Sequence, residues 1–240
     1  MEKSISKAFT FMFKDSDWKY KLFVLAALAF PGMFLGYQSE TLKTTIKGMA
    51  ATSDNLFSIA LFYLLILIFI IACTFIFEGY CCKCTQKIIY ANGQTSENDV
   101  LPKWEDEFWE YSKIGVGFSI GGGFLGLAVA LGSILIIPLL FYIVGYVALK
   151  TLFCVDFKMG SFFAWKKALR LMNSNFSHYF SVILCSLGIY IAFGLVAYLC
   201  STSLVLVFLG AFAQAYVYLV LAYLRGTLFT APPEVFFEAD

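Results

Sequence analysis

The stretch IGVGFSIGGGFLGLAVALGSILIIPLLFYIVGYVAL, residues Ile114 to Leu149, is 36 residues long and carries no charged side chain. As one helix rising about 1.5 Å per residue it would be about 54 Å long, far beyond a hydrocarbon core about 30 Å thick. The run must therefore fold back on itself. Leu131, Gly132 and Ser133 mark the reversal. Pro138 suits the first turn of the returning helix, where an N–H would lack a partner in any case.

Three further charge-free runs flank it: Leu22 to Tyr37, Leu56 to Phe77 and Tyr179 to Leu224. The last, at 46 residues, also exceeds one crossing and is broken by Cys200, Ser201, Thr202 and Ser203. Six transmembrane helices in three hairpins follow. The composition agrees, with 60% hydrophobic residues, 14% charged and a mean hydropathy of +0.80 over 240 residues.

Six crossings place segments 1–21, 78–113, 150–178 and 225–240 on one side, with 15 of the 17 Lys and Arg, leaving only Lys43 and Lys47 opposite. Counting Ile114 to Leu149 as a single crossing would level the split at 9 against 8. The positive-inside bias selects six spans with both termini cytoplasmic. Trp18, Trp104, Trp109 and Trp165 all fall on that same side, at or near span ends, where an indole favours the headgroup layer. Lys150 is close enough to a cytoplasmic end to snorkel. Only five residues separate Lys21 from Ala27, too few for the apolar core of a cleaved signal peptide, so the first span is read as retained.

Ile5, Ala8, Phe9, Met12 and Phe13 recur at helical spacing with Lys3, Lys7 and Lys14 off that stripe, which predicts an amphipathic helix on the inner leaflet. The same device precedes the fifth span, where Ser161 can cap a helix with the stripe Trp165, Ala168, Leu169 and Met172. A weaker third copy is Pro102 to Tyr111, acidic through Glu105, Asp106, Glu107 and Glu110. Each hairpin is thus expected to follow a cytoplasmic interfacial helix in an all-α, polytopic single membrane domain. Its parts are the interfacial helix 1–21, hairpin one 22–77, the loop 78–113, hairpin two 114–155, the interfacial helix 156–178, hairpin three 179–224 and the tail 225–240. Asp15-Ser16-Asp17-Trp18 matches Asn173-Ser174-Asn175-Phe176, so the units read as a parallel internal repeat.

Several motifs together resemble a family of bacterial and archaeal integral membrane proteins, domain of unknown function four-thousand-thirteen. They are Phe13-Lys14-Asp15-Ser16-Asp17-Trp18, Glu78-Gly79-Tyr80, Asn92-Gly93, Leu101-Pro102-Lys103-Trp104-Glu105-Asp106, Gly160-Ser161-Phe162, Ala168-Leu169-Arg170-Leu171 and Tyr223-Leu224-Arg225-Gly226. The resemblance covers nearly the whole chain and implies a polytopic fold in a bacterial or archaeal inner membrane. It implies no reaction. The chain departs from the family in the outer loop Gln38 to Asn55 and in its cysteine cluster.

A net charge of +1 with one histidine excludes a nucleic-acid surface. Cys81, Cys82 and Cys84 lack the paired spacing of a zinc site, and no phosphate loop, nucleophile elbow or HExxH occurs. No catalytic residue, cofactor or metal is predicted, and the chain is not read as an enzyme. Gly117 and Gly121 give the small-xxx-small spacing that lets helix backbones approach. Gln214 is expected to bond between helices, and Glu78 and Arg225, closing the second and sixth spans, are expected either to pair or to snorkel apart. These residues, with Trp18, Trp104 and Trp165, are the candidate structural and polar positions. The function expected is a membrane scaffold or accessory subunit whose cytoplasmic face binds lipid or a protein partner. The alternative is a small-molecule transporter or channel lined by the third and sixth spans.

Overall fold

A computed structural model describes residues 2–49, 56–91, 101–104, 108–132, 136–229 and 233. The described chain is helical, without strands, and four of its helices are long and apolar enough to cross a membrane: Trp18–Gln38, Ala60–Tyr90, Phe176–Cys200 and Leu204–Gly226. This is a membrane protein.

The chain opens with α1 (Glu2–Thr10), which passes through a 3₁₀ turn, Phe11–Lys14, before α2 (Trp18–Met49). Next come α3 (Leu56–Tyr90), α4 (Phe108–Gly132) and α5 (Ile136–Asp156), then a second 3₁₀ turn at Met159–Phe163. The chain continues with α6 (Trp165–Ser174), α7 (Phe176–Cys200) and α8 (Leu204–Gly226). The 46-residue run is interrupted where the sequence places its break, with α7 ending at Cys200 and α8 beginning at Leu204, whereas Leu131 and Gly132 of the first expected reversal are still helical. Pro138 sits in the first turn of α5, and Ser203 opens α8 by accepting the Leu206 N–H at 3.4 Å. Ser133, the last residue of the expected first reversal, lies outside the described residues.

Helix α3 is central. It runs antiparallel to α4, and two glycines let the backbones touch: a Cβ on Gly79 would collide with the Tyr111 carbonyl, and one on Gly115 with that of Phe75. It runs parallel to α8, with Phe77 against Tyr218 at 5.1 Å and the Thr85 hydroxyl donating to the Ala222 carbonyl at 3.2 Å. Helix α2 lies antiparallel to α8 through Phe23 on Phe212 and Phe30 on Phe208. The buried side chains concentrate toward one end of the bundle, the capped end, where Phe11, Tyr80, Ile88, Leu101, Tyr111, Phe153, Phe162 and Leu171 are almost fully enclosed. Toward the other end α3 exposes Phe57, Phe62, Leu65 and Phe69, and α7 exposes Leu195 and Leu199, which leaves apolar surface for lipid tails.

The amphipathic helices before the first and fifth spans bury part of the stripe read in the sequence, Ala8, Met12, Ala168 and Met172, but with the face shifted toward Phe11 and Leu171. Both bury an identical spacing: Ala8, Phe11 and Met12 in one, Ala168, Leu171 and Met172 in the other. Phe9, Phe13, Trp165 and Leu169, assigned to the inward stripes, stand at least one-third exposed. The cause in the first case is the 3₁₀ turn after Thr10, whose tighter winding rotates Phe11 inward. This register pairs Asp15 with Asn175, two residues from the expected match. Asn175 caps α7 through the His178 N–H at 3.3 Å, and Asp15 accepts the Asp17 N–H at 3.0 Å. Ser161 caps no helix; it lies in the second 3₁₀ turn and donates to Asp156 at 2.8 Å.

Two expectations fail. Residues 101–104 are non-helical and Phe108 already belongs to α4, so Pro102 to Tyr111 contains no separate interfacial helix among its described residues. Pro102 disfavours helix at Leu101, and Trp104 is held by a ring stack instead. The outer loop expected from Gln38 is helical to Met49, because nothing between Gln38 and Ile46 breaks a helix; residues 50–55 lie outside the described ones.

Candidate functional site

Two polar assemblies are built into the capped end. The first is centred on Asp15, which is 1% exposed. The turn after α1 aims its carboxylate back under α2, where Lys21 binds both oxygens at 2.9 and 2.8 Å. Asp15 Oδ2 also accepts the Leu101 N–H at 2.9 Å, and the Leu101 carbonyl accepts from Lys21 and Lys87, each at 3.3 Å. Burial alone would raise the Asp15 pKa, yet the hydrogen bonds from Lys21, Leu101 and Asp17, with the charge of Lys21, hold it below the ordinary carboxylate value. Beside this knot the Tyr80 hydroxyl donates to the Pro102 carbonyl at 3.0 Å and its ring stacks on Trp104 at 4.2 Å. The Tyr111 hydroxyl donates to the Lys103 carbonyl. Segment 101–104 is thereby bound to α2, α3 and α4 by its backbone. Its residue types matter less than its exposed peptide groups, which explains how a proline can sit there.

The second assembly lies between α3, α4, α5 and α8. The Lys150 ammonium sits 4.4 Å from the Phe118 ring centroid and 4.5 Å from that of Tyr146. Gly122 faces it, leaving the space a side chain would fill. The Arg225 guanidinium lies 5.9 Å from the same Phe118 ring, with its Nε donating to the Leu221 carbonyl at 3.2 Å. Glu78 accepts the Ser119 hydroxyl at 2.6 Å. Cys82 and Cys154 meet thiol to thiol across α3 and α5, with the Thr85 hydroxyl against Cys154. All seven cysteines are free. Among the described residues no group of three His, Cys, Asp or Glu side chains is placed to hold a metal ion.

The sequence-derived positions distribute unevenly over these assemblies. Glu78 and Arg225 both enter the second, but they form no ion pair: Glu78 engages Ser119 and Arg225 the Leu221 carbonyl, and both side chains are half-buried. Lys150, also half-buried, carries its ammonium against two rings. Gly117 and Gly121 do not bring helix backbones together. They make room for the Phe153 and Phe162 rings, and the close backbone approach belongs to Gly79 and Gly115. Gln214 is half-buried and makes no hydrogen bond among the described residues. The nearby tyrosines are absorbed by packing, with Tyr216 donating to the Phe9 carbonyl at 2.9 Å and Tyr223 lying 4.7 Å from Phe11. Trp104 is buried inside the cap with its indole N–H unpartnered among the described residues, whereas Trp109 is 71% exposed. Trp18 meets Phe13 edge to face at 4.9 Å, and Trp165 packs over Gly145.

Sequence reasoning missed the Asp15 knot, although Asp15 and Leu101 both stood in quoted motifs. A carboxylate and an amide 86 positions apart carry no local signal of contact. It also missed that Lys150 and Arg225 share a ring; a lysine inside an apolar run was the available clue. At the surface, a cleft of about 270 Å³ is lined by Leu152, Val155 and Ala164 below and by Lys158, Ser161 and Lys167 at its rim.

No family model, no curated protein and no solved structure matches the chain.

Proposed function

We propose that this protein is a six-span membrane scaffold or accessory subunit, acting by binding and not by catalysis, with its capped end and both termini in the cytoplasm of a bacterium or archaeon. The observation that carries the reading is the Asp15 knot. It ties the N-terminal turn, α3 and segment 101–104 into one rigid platform at the end where the charge count puts 15 of the 17 cationic side chains. A rigid, polar face on a lipid-exposed bundle suits recognition. Around that platform Phe13, Tyr20, Trp109, Phe163 and Phe176 are exposed, with Lys113 over the Trp109 ring at 5.9 Å, a composition suited to the headgroup layer. The six-span arrangement rests on α4 and α5 together with the four apolar helices, and the likeness to domain of unknown function four-thousand-thirteen is part of the same proposal.

The test is photo-crosslinking in cells from a reactive side chain placed at Lys103 or Glu110, with Phe62 as the control. A scaffold gives a discrete protein adduct from the first two that Asp15→Ala abolishes. Adducts equal at all three positions would reject it. The second reading, a transporter or channel along α4 and α8, is favoured by Gln214 making no hydrogen bond among the described residues, and predicts solute flux in liposomes that Gln214→Leu reduces.

A further inference from the structure

We infer that Lys150 and Arg225 form a binding site for a phosphate-type oxyanion, presented as the headgroup of an anionic lipid or as free phosphate. Both cations lie within 6 Å of the Phe118 ring centroid, and neither has an acidic partner within 4 Å among the described residues. Glu78 supplies one negative charge against two positive ones, and its carboxylate is engaged by Ser119. Among the described residues a positive charge is therefore left over beside aromatic rings, where an uncompensated ion is disfavoured.

The donors are also available. Lys150 Nζ touches two ring faces and makes no hydrogen bond, and Arg225 uses only Nε, leaving its two Nη groups without partners among the described residues. Both side chains are half-buried, and none of their nitrogens is among the sealed, unpartnered atoms of the described residues. An ammonium and a guanidinium fork set against one ring offer between them several donors to the acceptor oxygens of a phosphate, for which such charge-assisted bonds are the strongest available. Gly122 makes room for the Lys150 side chain: a Cβ there would come within 3.3 Å of Lys150 Cε and 3.5 Å of its Nζ. The level is appropriate for a headgroup. Trp165, at the start of the amphipathic α6, packs on Gly145, next to Tyr146 and five residues before Lys150, and Phe162 packs on Gly121 beside Gly122. The inference does not depend on the scaffold reading, since it needs only the two cations and their helices.

The experiment places the purified chain in nanodiscs of phosphatidylcholine, alone, with added phosphatidylglycerol, or with inorganic phosphate in the buffer. It records the unfolding temperature and, by native mass spectrometry, the lipid retained. The unmodified chain should unfold at a higher temperature with phosphatidylglycerol or with phosphate than with phosphatidylcholine alone. A rise with phosphatidylglycerol only identifies a lipid headgroup; an equal rise with phosphate identifies the free anion. Lys150→Met and Arg225→Met should each weaken the responding ligand about tenfold, the loss of one charge-assisted contact, while Lys158→Gln leaves it unchanged. The proposal is overturned if neither anion raises the unfolding temperature of the unmodified chain, a result that needs no variant to fold. It is equally overturned if folded Lys150→Met and Arg225→Met retain the anion as well as the unmodified chain does.

Discussion

The Asp15 carboxylate accepts the Leu101 N–H at 2.9 Å across 86 positions of sequence while both of its oxygens hold the Lys21 ammonium. Lys21 is 5% exposed, so its charge depends on that carboxylate. Asp15→Asn should lower stability by about 3–5 kcal/mol, the cost of leaving one member of a buried ion pair alone. Adding Lys21→Met should recover part of the loss, and a double-mutant cycle from unfolding in detergent measures the coupling.

The same pair sets a pH dependence. Because the folded-state pKa of Asp15 is depressed, its contribution is fully present above the unfolded carboxylate value of about 4 and is lost as pH falls through the folded value. The difference in unfolding temperature between the unmodified chain and Asp15→Asn should be constant from about pH 7 to 5 and shrink below about pH 4. A difference that grows on acidification would contradict the assignment.

Glycine substitutions separate close approach from open surface. Gly79→Ala and Gly115→Ala force apart α3 and α4, where backbone atoms have no freedom to yield, and should cost about 1–3 kcal/mol or more. Gly123 faces nothing within 4 Å, so Gly123→Ala should be neutral or stabilising by up to about 1 kcal/mol. Thermal unfolding of the three variants in one detergent decides it.

Glu78 and Arg225 should behave independently. Glu78→Leu removes the acceptor of Ser119, and Arg225→Met removes a donor to Leu221, so the two effects should add in the double variant. Rescue of Glu78→Arg by Arg225→Glu would show instead that the two charges meet.

The architecture was legible wherever length and polarity decide it. Apolar runs too long for one crossing announce their breaks, and Ser201 to Ser203 supply the turn before α8 because short hydroxyl residues compete for backbone partners. What stayed hidden depends on three-dimensional meeting. Helical spacing could not show that Phe11 rather than Phe9 turns inward, since a 3₁₀ turn resets the periodicity. Glycine spacing singled out Gly117 and Gly121, but whether a glycine faces a ring or a backbone depends on the neighbouring helix. Charge counting placed Lys150 and Arg225 among cytoplasmic segments, yet their shared ring lies on α4, which neither segment contains.

The most direct test of the six-span account is the sidedness of Lys167→Cys and Lys103→Cys against Lys43→Cys, probed with an impermeant thiol reagent on intact cells. The native thiols are buried except for the half-buried Cys185, so the unmodified chain serves as the blank. The account predicts labelling at position 43 from outside and at positions 103 and 167 only after the membrane is opened. Labelling of position 167 in intact cells would contradict it, because the segment between α5 and α7 would then lie on the opposite side from segment 101–104.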